Sequence, residues 1–233
     1  MQYTRHAKLG FLALITALVL NSQHVSDAAS RVGSQPQASY LFDDSALAVS
    51  IKGDLSAAEI NALLQKKMKG SPESLTRSLA IHLVKLCKKE NFKPSFILSL
   101  VHHESTFRHD IVSGAGAIGL MQLLPATADY IARKNKIEFS SKKLDLSNPF
   151  TNLTLGVHYL SYLRVRYKTS THFLAAYNMG PARYGKLTTT ERAQLVQVKK
   201  YVVGIQENAS KLRGEGRKLA SEQRQSRLMM AAL

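Results

Sequence analysis

Glu104 stands where a helix would be expected to place an apolar side chain. Phe96, Ile97, Leu100 and Val101 recur at three- and four-residue intervals after Pro94, and the series arrives next at Glu104. Positions i, i+3 and i+4 share one helix face. The spacing therefore puts a carboxyl group on the buried face, near the helix C-terminus. Burial favours the neutral acid, and the negative end of the helix dipole repels a carboxylate. A carboxylic acid kept protonated near neutral pH is what a general acid requires. The bland alternative is an exposed Glu at a frayed helix end. Downstream, Ser113-Gly114-Ala115-Gly116-Ala117-Ile118-Gly119 permits tight turns and close approach of main chain to a ligand. Its glycines fit G-x-G-x-x-G loosely, but no strand precedes them and no acidic partner is placed for a ribose, so a phosphate loop is not expected. His102 and His103 are not a metal pair. Adjacent helical residues point about 100° apart, and H-E-x-x-H is absent. An imidazole there has two readings, as a tuner of Glu104 or as a surface or cleft-rim residue.

The elements that must position these groups read as helices. Ser56-Ala57-Ala58-Glu59 is a capping box opening a short helix with Leu63, Leu64 and Met68. Ser71-Pro72 starts another, with Leu75, Leu79, Leu83 and Leu86 on one face. Pro125 opens a third. Asn148-Pro149 repeats the start signal ahead of Phe150, Leu153, Val157, Leu160 and Tyr167. Residues 191–210 carry Leu195, Val198, Val202 and Ile205 on one face. No long alternating pattern appears and no internal repeat, so the expected fold is all-α.

The chain has 233 residues, 45% of them hydrophobic, enough for one sizeable core or two small ones. This composition excludes a disordered chain and a multi-pass membrane protein. A single cysteine, Cys87, excludes an intrachain disulfide framework and a Cys-rich metal site. The formal charge of +16 points to an anionic partner. Residues 1–28 read as a secretory signal peptide. Arg5 and Lys8 precede the ten-residue apolar run Phe11 to Leu20, and Ser26-Asp27-Ala28 offers a cleavage site. Ten residues are too few to span a bilayer, which needs about 20, so no stable membrane insertion is expected after cleavage; an uncleaved anchor is the alternative. Cleavage after Ala28 lowers the charge by one. Export, and the absence of RRM, zinc-finger or helix-turn-helix signatures, disfavour nucleic acid and favour an anionic envelope polymer. The organisation expected is a signal peptide at 1–28, a linker or arm with a short helix at 29–70, a catalytic domain at 71–210 and a basic tail at 211–233. A solvated end is the preferred reading of that tail over an amphipathic surface helix.

An ordered set of motifs then carries a family resemblance. Glu104-Ser105-x-Phe107, Ser113-x-Ala115-Gly116-Ala117-x-Gly119-Leu120-Met121-Gln122, Pro125-x-Thr127-Ala128, Asn148-Pro149, Asn152-x-x-x-Gly156-x-x-Tyr159-Leu160, Ala175-Ala176-Tyr177-Asn178-x-Gly180 and Tyr201-Val202 follow one another as they do in the catalytic domain of the soluble lytic transglycosylases, relatives of goose-type lysozyme. The resemblance covers about residues 75–205. It implies a lysozyme-like α domain with a cleft for glycan strands, and peptidoglycan as substrate. It implies non-hydrolytic cleavage of the β-1,4 bond between N-acetylmuramic acid and N-acetylglucosamine, ending in a 1,6-anhydro ring. Glu104 matches the single catalytic acid/base. Ser113 resembles the serine that hydrogen-bonds near that acid and the N-acetyl group. Gln122 and Asn178 would bond sugar amides or hold the cleft backbone, and Tyr201 resembles a tyrosine near the intermediate. Met121 and Tyr177 would pack on sugar rings or be plain core. Asn178 has the alternative of capping a helix end, and Tyr201 that of half-buried packing. No cofactor or metal is implied. The chain departs from the family pattern at His102-His103 and at Arg108-His109, which puts the first substrate-facing loop in question.

Between Asn91 and Lys186 the other carboxylates are Asp110, Asp129, Glu138 and Asp145, none on an obvious apolar face. Ordinary glycoside hydrolysis needs two carboxyl groups about 5–9.5 Å apart, so a one-carboxylate mechanism fits the sequence. A hydrolytic muramidase of the same fold and a non-catalytic glycan-binding scaffold are the alternatives; intact Glu104, Ser113 and Gln122 speak against the scaffold. The expected location is the periplasm. General wall remodelling and local opening for an envelope-spanning secretion or appendage machine both remain open.

Overall fold

The computed structural model describes residues 53–137, 143–193 and 196–232. Residues 1–52, with the expected signal peptide and the first part of the arm, lie outside the described residues, as do Glu138 and Leu195. Among the described residues ten helices run in order: α1 (Ala57–Lys67), α2 (Glu73–Glu90), α3 (Pro94–Ser105), α4 (Pro125–Lys134), α5 (Lys143–Ser147), α6 (Pro149–Tyr167), α7 (Ser170–Met179), α8 (Pro181–Gly185), α9 (Thr189–Ala193) and α10 (Val196–Ala231). Among the described residues there is no strand, only isolated bridges joining Val112 to Ile118 and Ile118 to Leu123. No described helix is long and apolar enough to cross a membrane.

The start signals act as their chemistry requires. Ser56 caps α1, with its hydroxyl accepting from Glu59 N and the Glu59 carboxylate accepting from Ser56 N. Asn148 caps α6 by accepting from the amides of Phe150 and Thr151. Pro94, Pro125 and Pro149 each occupy the first helical turn, where a missing N–H costs nothing.

α3 is the axis of the core. Residues Pro94 to Val101 are all buried, as expected of a helix enclosed on every side. Phe96 stacks on Phe92 and meets Phe173 of α7 edge-on. The Ser99 hydroxyl donates to Ile205 O of α10 at 2.6 Å, so a buried polar group ties α3 to α10. The N-terminus of α3 has its own anchor. Asp54 accepts from Ser95 N at 3.2 Å and from Ser95 Oγ at 2.7 Å, which places a negative charge at the positive end of the helix that carries Glu104. Asp54→Ala is expected to cost about 1–2 kcal/mol and to lower the thermal midpoint; Asp54→Asn, which keeps an acceptor, is expected to recover much of the loss.

The boundaries drawn from sequence at residues 70 and 210 cross packed structure. α1 buries Ile60, Leu63 and Leu64. α10 continues unbroken past residue 211 with Leu212 and Gly216 buried. A Cβ on Gly216 would approach Leu55 Cδ2 and Leu63 Cδ1 to 2.9 Å, so glycine lets the two helices close together. Glu215 pairs with Lys66 and Lys67 at 2.8 and 2.9 Å, Gln223 donates to Gln65, and Arg217 donates to Gly53 O. Residues 211–227 are therefore a helix docked on α1, not a solvated end; Leu228, Met229 and Met230 beyond them are exposed.

Candidate active site

The last turn of α3 presents Glu104 half-buried, at the helix C-terminus. The Tyr201 hydroxyl, from α10, donates to Glu104 Oε1 at 2.8 Å. Burial is the larger influence and pushes the carboxyl up to about 7, while the Tyr201 hydrogen bond works in the opposite direction by favouring the anion. Tyr177, from α7, belongs to the same cluster. Burial, then the nearby Glu104 charge, raises its phenol well above the ordinary value, and it interacts with Tyr201 as well. Three helices thus bring one carboxyl and two phenols together from positions 97 residues apart.

The loop between α3 and α4 forms the facing wall, and its backbone is held from several sides. Thr106 closes α3 in the left-handed region and buried Phe107 follows at φ 66°, an unusual conformation for an aromatic residue. The Ser113 hydroxyl accepts from Ala117 N at 3.0 Å and closes the glycine-rich turn. Gln122, at φ 48°, donates its side-chain amide back to Gly119 O at 2.9 Å. Asn152, 0% exposed on α6, uses its whole amide. Its Oδ1 accepts from Met121 N, and its Nδ2 donates to Ile118 O and Leu146 O, all at 2.8–2.9 Å. Gly119, at φ +79°, leaves the room for that amide, since a Cβ there would fall on Asn152 Nδ2 and on Leu146 O.

Several sequence expectations change in detail. Met121 is 0% exposed, and its side chain fills the notch at Gly156, so of the two readings it is core and offers sugar no surface. What the site uses is its backbone, because Met121 O accepts the Tyr177 hydroxyl at 2.6 Å. Tyr177 is part-buried against Tyr159, with ring centroids 5.3 Å apart. Tyr201 is buried with its hydroxyl on the acid, and Asn178 is exposed near the end of α7. Ser113 and Gln122 each make a loop hydrogen bond while remaining half-exposed. His103 is exposed and meets the Tyr201 ring edge-on at 4.6 Å, whereas His102 packs on Phe107. In the departing loop, His109 Nδ1 lies 3.1 Å from Ser147 O and Arg108 donates to Ser105 O, so both residues brace the turn. Asp110 is exposed and Asp129 pairs with Arg133.

The likenesses to known proteins fall on this same region. The transglycosylase SLT domain family matches residues 84–198. The soluble lytic murein transglycosylase of Escherichia coli K12 is 34% identical over 90 residues, 38% of this chain and 14% of that protein. The membrane-bound lytic murein transglycosylase C of Actinobacillus pleuropneumoniae L20 is 35% identical over 125 residues, 49% of this chain and 34% of that protein. In three dimensions, an inactive mutant of the lytic transglycosylase Slt from Pseudomonas aeruginosa superimposes with a TM-score of 0.52 at 27% identity, covering 71% of this chain and 31% of that one. The 70 kDa soluble lytic transglycosylase of Escherichia coli gives 0.51 at 21% identity over 72% and 32%, a likeness of fold. The chain spans about a third or less of the length of these relatives. The motif order, the buried acid and the matching fold converge on one assignment: residues 84–198 form a transglycosylase SLT domain of the lytic transglycosylase family.

Proposed function

We propose that this chain is a lytic transglycosylase of peptidoglycan, with Glu104 as its one acid/base. The observation that carries the reading is a carboxyl group held near pH 7 by burial at the end of α3, with a phenol on one oxygen. In its neutral form Glu104 protonates the leaving glycosidic oxygen. As the carboxylate it then takes the proton from the muramoyl C6 hydroxyl, whose oxygen closes onto C1. The 1,6-anhydro ring forms without water, and the substrate's own N-acetyl group stabilises the cationic intermediate. Tyr201 holds Oε1, which fixes which oxygen of the acid carries the proton. Ser113, Gln122 and Asn178 supply polar groups facing the glycan, and Tyr177 fixes the wall opposite the acid. The N-terminal segment suits export to the periplasm, where the polymer lies.

The acid must be protonated in the free enzyme. The second-order rate on peptidoglycan is therefore expected to fall about tenfold per pH unit above about 7. Tyr201→Phe removes the hydrogen bond that favours the anion, so the descending limb is expected to move to higher pH. A wall-turbidity assay over pH 5–9 checks both. A limb near pH 4–5, or one that stays in place in Tyr201→Phe, would contradict the assignment. The hydrolytic alternative needs a second carboxylate beside Glu104, whereas Asp110 is exposed and Asp129 pairs with Arg133.

A further inference from the structure

A second hollow lies between the ends of α2, α4 and α6, and none of its residues belongs to the Glu104 cluster. It encloses about 310 Å³ and is lined by Glu90, Lys134, His158, Tyr162, Val165 and Arg166, among others. Three features distinguish it from ordinary surface. An aromatic pair stands at its rim. Tyr130, 45% exposed, meets Tyr162 edge-on with centroids 5.7 Å apart, which leaves ring area open to solvent. Two cations lie over tyrosine rings here, one over Tyr162 and one over the neighbouring Tyr167. Lys134 Nζ lies 5.5 Å from the Tyr162 centroid, and the Arg166 guanidinium lies 5.6 Å from that of Tyr167. Among the described residues neither cation forms an ion pair with a carboxylate, whereas neighbouring Arg133 pairs with Asp129. Finally, a hydrogen-bonding pair is already assembled there: His158 Nδ1 sits 3.3 Å from Glu90 Oε1, both side chains largely buried. Val165, 68% exposed, adds an apolar edge.

This combination suits a ligand with an apolar ring face, neutral polar groups and a carboxylate. An open tyrosine ring offers stacking area to a sugar. Lys134 and Arg166 offer charge-assisted hydrogen bonds to carboxylate oxygens. Glu90 and His158 offer an acceptor and a donor to hydroxyl or amide groups. We propose that this hollow is a second, non-catalytic binding site for a carboxylate-bearing saccharide, filled by a peptide-bearing muramoyl segment of the same polymer that Glu104 cleaves. The inference rests on peptidoglycan being the substrate. Its consequence is a hold on the strand apart from the cutting centre, so the enzyme stays on the wall between cuts.

The test is cosedimentation of the full chain with insoluble peptidoglycan sacculi, in a Glu104→Gln background so that the polymer survives. Tyr130→Ala and Lys134→Glu change exposed side chains, and thermal melts confirm that both variants fold. Lys69→Glu, an exposed lysine elsewhere, makes the same change in net charge. Tyr130→Ala and Lys134→Glu are expected to weaken binding by about fivefold each, and Lys69→Glu by less than twofold. The parent is expected to bind sacculi whose free stem carboxylates have been amidated with a carbodiimide and ammonia, which leaves the cross-links intact, several-fold less tightly than untreated sacculi. Equal losses in Lys134→Glu and Lys69→Glu would reduce the effect to general charge attraction and overturn the proposal. So would a Tyr130→Ala variant that binds like the parent, or equal binding to amidated and untreated sacculi. In those cases parent binding persists and the substrate reading stands. A parent that fails to sediment at all would overturn both together.

Discussion

Glu104→Gln is expected to abolish wall cleavage, by at least about a thousandfold, and at the same time to make the protein more stable above neutral pH. The first effect follows from the acid/base role proposed for Glu104; general acid–base catalysis alone contributes about 10²–10⁴. The second follows from linkage. The folded carboxyl titrates near 7, above its ordinary value of 4.5, so the folded state binds the proton more tightly than the unfolded chain does. Stability therefore falls as pH rises from about 4.5 to about 7, and stays reduced above that range. Glutamine carries no such penalty. After allowance for the partial exposure of the group, the variant is expected to gain about 1–3 kcal/mol over wild type at pH 8 and nearly nothing at pH 4. Denaturant midpoints at the two pH values check this. A variant that shows the same stability difference from wild type at both pH values would mean that the carboxyl is not held neutral.

The second large effect is expected at Asn152. This amide touches no substrate in the mechanism, yet it satisfies one N–H and two carbonyls of the buried backbone that forms the wall of the site. Asn152→Ala leaves Met121 N and Leu146 O without partners, while Ile118 O keeps its bond from Leu123 N. Unsatisfied buried groups cost about 1–3 kcal/mol each, so a loss of about 3–5 kcal/mol is expected, allowing for partial relaxation. Asn152→Asp keeps the acceptor for Met121 N but turns a negative oxygen toward Ile118 O and Leu146 O, and is expected to be no better. Because Met121 O receives the Tyr177 hydroxyl, loosening this segment also releases Tyr177. Activity in either variant is expected to fall well before the protein unfolds, which a comparison of turnover with thermal melting over 20–45 °C would show. Retained activity up to the melting point would mean that the wall does not depend on this amide.

Glu104 was legible in the sequence because one polar residue interrupted an apolar helical stripe, and α3 places it at the end of that stripe. The Ser56 box, the Asn148 cap and the proline starts were legible for a related reason: each is a local device whose partners lie within four residues. What escaped was non-local. Asp54 caps a helix that begins 40 residues later, and the hydrogen bond by which Tyr201, named through the family resemblance alone, reaches Glu104 spans 97 residues, pairings that no spacing rule reveals. Met121 was ambiguous because an apolar residue beside a polar loop serves equally as core or as platform. The notch at Gly156 decides it, and that notch exists only when α6 is packed. The C-terminal segment misled by composition. Val198, Val202, Ile205, Ala209, Leu212, Gly216 and Leu219 recur every three or four residues, but the stripe passes through an alanine and a glycine amid charged neighbours. Small residues there record close helix contact, not a polar end.

The fate of the muramoyl C6 hydroxyl distinguishes ring closure from hydrolysis. Purified peptidoglycan digested with the protein lacking residues 1–28, followed by mass spectrometry of the released muropeptides, reads it out. Fragments lighter by one water than their hydrolytic counterparts, and absent with Glu104→Gln, are the expected result and would establish closure of the anhydro ring. Fragments ending in a free reducing sugar would contradict it, and would mean that water, activated by a second carboxylate, does the work assigned here to the substrate's own hydroxyl.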